Sequence, residues 1–145
     1  MSDRKTLEKN LWKWLREADL GDLHLERVEN SLGFGFPDVD GQLSEQAFKI
    51  ELKTAARPKS PTTPVRFKFQ HGQAGWLRNR WKIGGRVWLL CQVGSGHGAS
   101  RYLIRGYRAP EVEAGMTEGQ LLAASRILQR DDAATVVTAA AYGPR

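Results

Sequence analysis

The stretch Phe48-Lys49-Ile50-Glu51-Leu52-Lys53-Thr54 decides the fold. Apolar Phe48, Ile50 and Leu52 alternate with Lys49, Glu51 and Lys53, the period-two signature of a strand. Side chains two apart on a strand share a face, so Glu51 and Lys53 project together, opposite the apolar three. On its own Glu-x-Lys reads as a surface pair worth under ~1 kcal/mol. What lies before it changes that reading.

Upstream, Gly33-Phe34-Gly35-Phe36-Pro37 must bend, because glycine permits unusual dihedrals and proline fixes one. The bend delivers Asp38 to the start of a short strand, 38–40, thirteen residues before Glu51. A turn between Gly41 and Gln46 would fold the two strands into a hairpin in which Asp38 and Glu51 meet. Two carboxylates that close repel each other unless a cation sits between them. Mg²⁺ takes such oxygen ligands and retains several waters. It stabilises the charge that develops on a phosphodiester and acidifies a bound water, while Lys53 would orient that water or stabilise the developing charge. Further upstream, residues 6–18 carry Leu7, Leu11, Trp14 and Leu15 on one helical stripe, with Thr6 as the expected N-cap, and 23–29 alternate like a strand.

Downstream, three prolines make 57–64 a loop. Gln73, Trp76, Leu77, Arg80 and Trp81 give helical spacing over 70–82, and Gly84-Gly85 stops that helix. Residues 87–93 are a near-continuous apolar strand of the buried central kind. Strand, helix, strand predicts a crossover joining parallel strands. A glycine and serine loop at 94–100 precedes a strand at 102–105, and the Ala-rich tail from 117 to 141 is expected to be helical to about residue 130.

The 145 residues suit one domain, and 41% apolar content suffices for one core. The longest apolar run, 87–91, is too short to span a membrane, and the first ten residues lack the apolar stretch of a signal peptide. The single cysteine, Cys91, reads as a buried strand residue, so a disulfide framework is excluded and a cytoplasmic location is expected. The net charge is +6, and eleven of the sixteen acids fall between Asp3 and Glu51. From Lys53 to Pro110 there is no acid, against twelve Lys or Arg. Such a stretch is the footprint of a nucleic-acid binder. His24, His71 and His97 have no metal-ligand spacing, and Gly94-Ser95-Gly96-His97-Gly98 lacks the ending of a phosphate-binding loop.

Taken in order, Gly35-Phe36-Pro37-Asp38, Glu51-Leu52-Lys53, Gln73-Ala74-Gly75-Trp76 and Gly84-Gly85-Arg86-Val87 resemble the PD-(D/E)XK nuclease superfamily. Together with Arg27-Val28-Glu29-Asn30 they are most similar to its VRR-NUC group of small phage and bacterial nucleases. The resemblance spans about residues 7–106. It implies an α/β restriction-endonuclease-like core, a mixed sheet with an N-terminal helix and a βαβ crossover helix, followed by a helical extension over about 111–145. It implies metal ligation by Asp38, Glu51 and the carbonyl of Leu52, and water activation by Lys53. It also implies an acid on the first helix, for which Glu8 leads and Glu29 is the alternative, and a role for Gln73 from the crossover helix. Arg57, Lys59, Arg78 and Lys82 are the expected phosphate contacts. The expected activity is Mg²⁺-dependent hydrolysis of DNA, with Mn²⁺ substituting, on branched or junction substrates. A homodimer is expected, in a bacterial or phage-infected cytoplasm, with Leu121, Leu122, Ile127 and Leu128 either at the interface or packed on their own domain. The rival readings are a DNA-binding protein or phage structural component of the same fold without chemistry.

Overall fold

The predicted strand is longer than its alternation, running through Gln46–Ala55, and every residue from Ile50 to Ala55 is buried. Both of its faces are therefore covered, which period-two patterning alone does not disclose. The computed structural model describes residues 3–28, 36–126 and 132–145. Its elements are α1 (Arg4–Arg16), β1 (Leu23–Arg27), β2 (Val39–Leu43), β3 (Gln46–Ala55), α2 (Gln73–Lys82), β4 (Val87–Val93), β5 (Ser100–Arg105), α3 (Ala109–Ala114), α4 (Glu118–Ala124) and α5 (Ala133–Tyr142). The sheet has the order β1-β2-β3-β4-β5. Only β3 and β4 run parallel, joined through α2, and the other neighbours are antiparallel. This is the mixed α/β sheet with a first helix and a crossover helix that the sequence predicts.

Register assigns the layers. Ile50 pairs with Trp88, and Trp88 Nε1 donates to the carbonyl of Ala140 at 3.0 Å, so this face lies under α5. Helix α1 joins α5 there, and seats the fully buried Leu11 and Leu15 against the sheet. Glu51, one residue on, faces the other way, where Gln73 of α2 reaches it at 2.7 Å. All seven residues of β4 are buried between the two helical layers. Each fully buried Leu, Ile or Val there contributes roughly 1.5–3 kcal/mol of hydrophobic stabilisation.

Three expectations are corrected. The N-cap of α1 is Asp3, not Thr6: its Oδ1 accepts from Thr6 N–H at 2.8 Å. The second strand spans Val39–Leu43, so Gly41 lies inside it, and the turn falls at Ser44 and Glu45. Ser44 adopts a left-handed φ of 52°, held by its N–H to Asp22 O (3.0 Å) and its hydroxyl to the Asp22 carboxylate (3.3 Å). The Ala-rich tail is not one helix to residue 130. Helix α4 stops at Ala124, where Ser125 extends and bridges Ile104, and a separate helix, α5, covers the sheet. Leu121 is buried within its own chain, whereas Leu122 is exposed. Ile127 and Leu128, like Glu29 and most of the glycine-rich bend, lie outside the described residues. No described helix is long and apolar enough to cross a membrane.

Gly41 is in the strand because of Phe48, its partner in register. A Cβ at position 41 would stand 2.3 Å from the Phe48 ring, which is itself 1% exposed and cannot swing into solvent. Gly41→Val should therefore cost roughly 1–3 kcal/mol in denaturant unfolding. Combining it with Phe48→Leu should be less destabilising than the sum of the two single changes. Simple additivity would show that the ring does not fill the space above Gly41.

Candidate active site

The site forms where β2 leaves β3. Val39 pairs with Ile50 as the last rung, and β3 continues to Ala55 with β4 alone. Lys49 N–H donates to Arg86 O, and Ala55 O accepts from Gly94 N–H, so the odd-numbered residues of β3 turn their backbone groups toward β4. The N–H and C=O of Leu52 consequently face the side that β2 has vacated. Asp38 takes the place of the missing rung: its Oδ2 accepts from Leu52 N–H at 2.9 Å. The Leu52 carbonyl thus lies on the same edge as the Asp38 carboxylate.

Glu51 is held from two sides. Its Oε1 accepts from Asp38 N–H at 3.2 Å, and its Oε2 accepts from Gln73 Nε2 at 2.7 Å. Lys53 Nζ stands 3.4 Å from that Oε2. The ammonium donates to Gln73 Oε1 (2.7 Å) and to the carbonyl of Lys68 (2.6 Å), and lies 4.3 Å above the Phe69 ring. Gln73 Oε1 also accepts from Gln70 N–H at 3.2 Å. One amide orientation satisfies all these contacts; the reverse would set its NH₂ against an ammonium. Gln73 is therefore more than a helix cap, because it ties the acid to the base.

Glu51 is 3% exposed and Lys53 is 5% exposed. Burial, then the charge of Asp38, pushes the Glu51 carboxyl well above the ordinary carboxylate range, and Lys53 opposes this only in part. Glu8, on α1, is half-buried, and its carboxyl is raised by that burial and by Asp38. Glu8, Asp38, Glu51, Lys53 and Gln73 line one cleft of about 250 Å³, with Phe36, Lys68, Gln70 and the cations Arg4 and Lys5 also on its wall. All five predicted catalytic residues are brought together. Cys91, beside Lys53 in register, is fully buried, and burial pushes its thiol up to about 12, which removes it from nucleophilic chemistry.

The donor set suits a hard divalent cation. Among the described residues no three acidic, His or Cys side chains converge into a closed cage. Two carboxylates and a backbone carbonyl instead leave positions for water, as Mg²⁺-like ions require. The charge of Asp38 beside Glu51 raises the Glu51 carboxyl, and Lys53 offsets this only in part, so a cation between the two carboxylates would be favoured. The three histidines are exposed and stand apart from the cleft.

The basic residues divide. Lys59, Arg78 and Lys82 are exposed and outside the cleft. Arg57 is committed internally: it bonds Glu118 at 2.9 and 3.1 Å, Gly98 O at 2.8 Å, Val93 O at 3.2 Å and Ser100 Oγ at 3.0 Å. Tyr102 also donates to Glu118, at 2.5 Å. These bonds pin α4 to the ends of β4 and β5, with the Arg57 side chain still partly exposed. The sequence reading missed the cations on α1 beside the cleft. Lys5, Lys9 and Lys13, each four residues apart, were the available signal.

This mixed five-stranded sheet, with carboxylates and a lysine at the divergence of β2 and β3, is a restriction-endonuclease-like fold. A solved structure similar to it is Hjc, a Holliday junction resolvase from the archaeal hyperthermophile Archaeoglobus fulgidus, with a TM-score of 0.57 and 15% identity over 93% of this chain and 98% of that one. The likeness is one of fold. No protein-family model matches the sequence, and neither does any curated protein.

The raised Glu51 carboxyl gives a pH-dependent expectation. Folded Glu51 holds its proton more tightly than unfolded Glu51, so the cost of ionising it is absent below about pH 4.5 and grows as pH rises. Glu51→Gln removes that cost, because its side chain does not ionise. In EDTA its melting midpoint should exceed that of wild type at pH 8, by roughly 3 °C per kcal/mol, and the gap should close toward pH 4. A gap independent of pH would mean that Glu51 ionises without penalty.

Proposed function

We propose that this chain is a metal-dependent endonuclease of the PD-(D/E)XK superfamily, close to its VRR-NUC group, that hydrolyses phosphodiester bonds in branched or junction DNA. The observation that carries the reading is the constellation of buried Glu51, Lys53 and Gln73 with half-buried Asp38 at the point where β2 leaves β3. A buried carboxylate beside a second, half-buried one, with a single lysine between them and neutrality, is a poor structural device, since burial penalises charge. It is a good receptor for a cation and a phosphate. The fold it shares with a protein described as a Holliday junction resolvase supports the substrate class.

Asp38, Glu51 and the Leu52 carbonyl would hold Mg²⁺, with Mn²⁺ as a substitute. The bound ion supplies Lewis acidity toward the phosphoryl oxygen and an acidified water. Lys53 holds a hydrogen bond at Nζ to the attacking water or to the phosphoryl oxygen on which charge develops. Gln73 fixes the direction of Nζ through its own amide. Glu8 faces the same cleft from α1 and is the additional acid. The water oxygen forms the new bond to phosphorus, the ester P–O bond breaks, and a proton passes to the departing alkoxide. Lys59, Arg78 and Lys82 contact phosphates beyond the scissile one, and the +6 net charge favours encounter with DNA.

A homodimer completes the reading, because cutting two arms of a junction needs two centres in fixed relation, and a twofold axis supplies them. Exposed Leu122 on α4 marks one candidate face.

Two measurements test this. Asp38→Asn keeps an acceptor for Leu52 N–H and relieves repulsion at Glu51, so it should fold as wild type does. It should nonetheless abolish cleavage of four-way, flapped, nicked and linear DNA in Mg²⁺ or Mn²⁺. Wild-type rates in this variant, or equal rates in EDTA, would overturn the metal site. Sedimentation of the protein alone and with a four-way junction should give a dimer; a monomer in both would remove the paired-centre arrangement.

A further inference from the structure

Beside the catalytic cleft lies a second groove, of about 560 Å³, along α1. Lys5, Lys9, Lys13, Arg16 and half-buried Trp12 line it from α1, with the Arg16 guanidinium 5.6 Å from the Trp12 ring, and Arg27 lines it from β1, near Glu8. Lys5 and Glu8 line both this groove and the catalytic cleft, so the two adjoin at these residues. Five cations meet a single acid, Glu8, which sits at the cleft end.

An ordinary solvated helix face mixes charges at i and i+4, where opposite signs help the helix and like signs destabilise it by roughly 0.2–0.5 kcal/mol per pair. Here the stripe repeats one sign at Lys5, Lys9 and Lys13. Among the described residues none of the three forms an ion pair. The helix alone gains nothing from this arrangement. A polyanion would: the stripe is about 12 Å long, which spans three or four phosphates of one B-form strand. Trp12, with its ring partly open, offers a base a face to stack on. The groove also lies on the layer opposite α2, so it is separate from Arg78 and Lys82.

We propose that this groove is a nucleic-acid strand track, which takes the phosphodiester backbone on one side of the scissile bond while α2 contacts the other side. The proposal rests on the nuclease reading for its orientation but not for its existence, and binding can be measured without cleavage. Lys9 and Lys13 are exposed and outside the catalytic machinery, so Lys9→Glu with Lys13→Glu should leave the circular dichroism spectrum and thermal midpoint close to wild type.

The experiment measures anisotropy of labelled single-stranded and duplex oligonucleotides in EDTA over a range of salt. It also measures hydrolysis of bis(p-nitrophenyl) phosphate, a substrate too small to reach the groove, in Mn²⁺. The double variant should bind at least tenfold more weakly at low salt, with a salt slope shallower by about two, while hydrolysing the small diester as wild type does. Unchanged affinity and slope would overturn the track, and wild-type junction cleavage in the same sample would leave the nuclease reading standing. Weakened binding beside a wild-type protein that cleaves nothing would support the track and sink the nuclease reading.

Discussion

The architecture turns on burying Glu51 next to Asp38. A carboxylate taken out of water is tolerated only if something nearby carries the opposite charge and donates hydrogen bonds. Lys53, two residues on along the same strand, does the first, and Gln73 donates to Glu51 while accepting from Lys53. That requirement fixes where β3 lies, because both faces must be covered for the group to be dry. It also fixes where α2 begins, because Gln73 at its first turn must reach the strand. The divergence of β2 follows too: only beyond the last rung is there an edge of β3 to which the Asp38 side chain can bond.

Much of this was legible in the sequence, for identifiable reasons. The alternation at 48–54 and the apolar run at 87–93 are period signals that survive any tertiary context, so β3 and β4 were readable. Glu51 and Lys53 were readable together because a strand commits residues two apart to one face, and Asp38 because a hairpin brings the preceding strand alongside. Gln73 was readable only through resemblance, since nothing about a glutamine at the start of a helix points at a strand twenty residues away.

The misreadings also have physical sources. Gly41 was taken for a turn because glycine is permissive, yet here its missing side chain is what matters, and that depends on a cross-strand ring. Asp22, distant in sequence, decides that Ser44 turns instead. The bond between Arg57 and Glu118 joins residues sixty-one apart, beyond what any local pattern reports. The α1 lysines escaped notice because their meaning lies in where the helix is docked, beside the cleft.

The placement of α5 carries a consequence for how the chain is made. Strand β3 ends at Ala55, but the helix that covers its Trp88-side layer spans Ala133–Tyr142, nearly eighty residues later. On the ribosome, every side chain that lines the cleft around Glu51 emerges long before that covering layer does. A contact so distant in sequence forms late, after the cost of closing a long loop has been met. Until α5 has emerged, the nascent chain therefore leaves the apolar Ile50–Trp88 face of its sheet uncovered, even though α2 and Gln73 are already available to the opposite face.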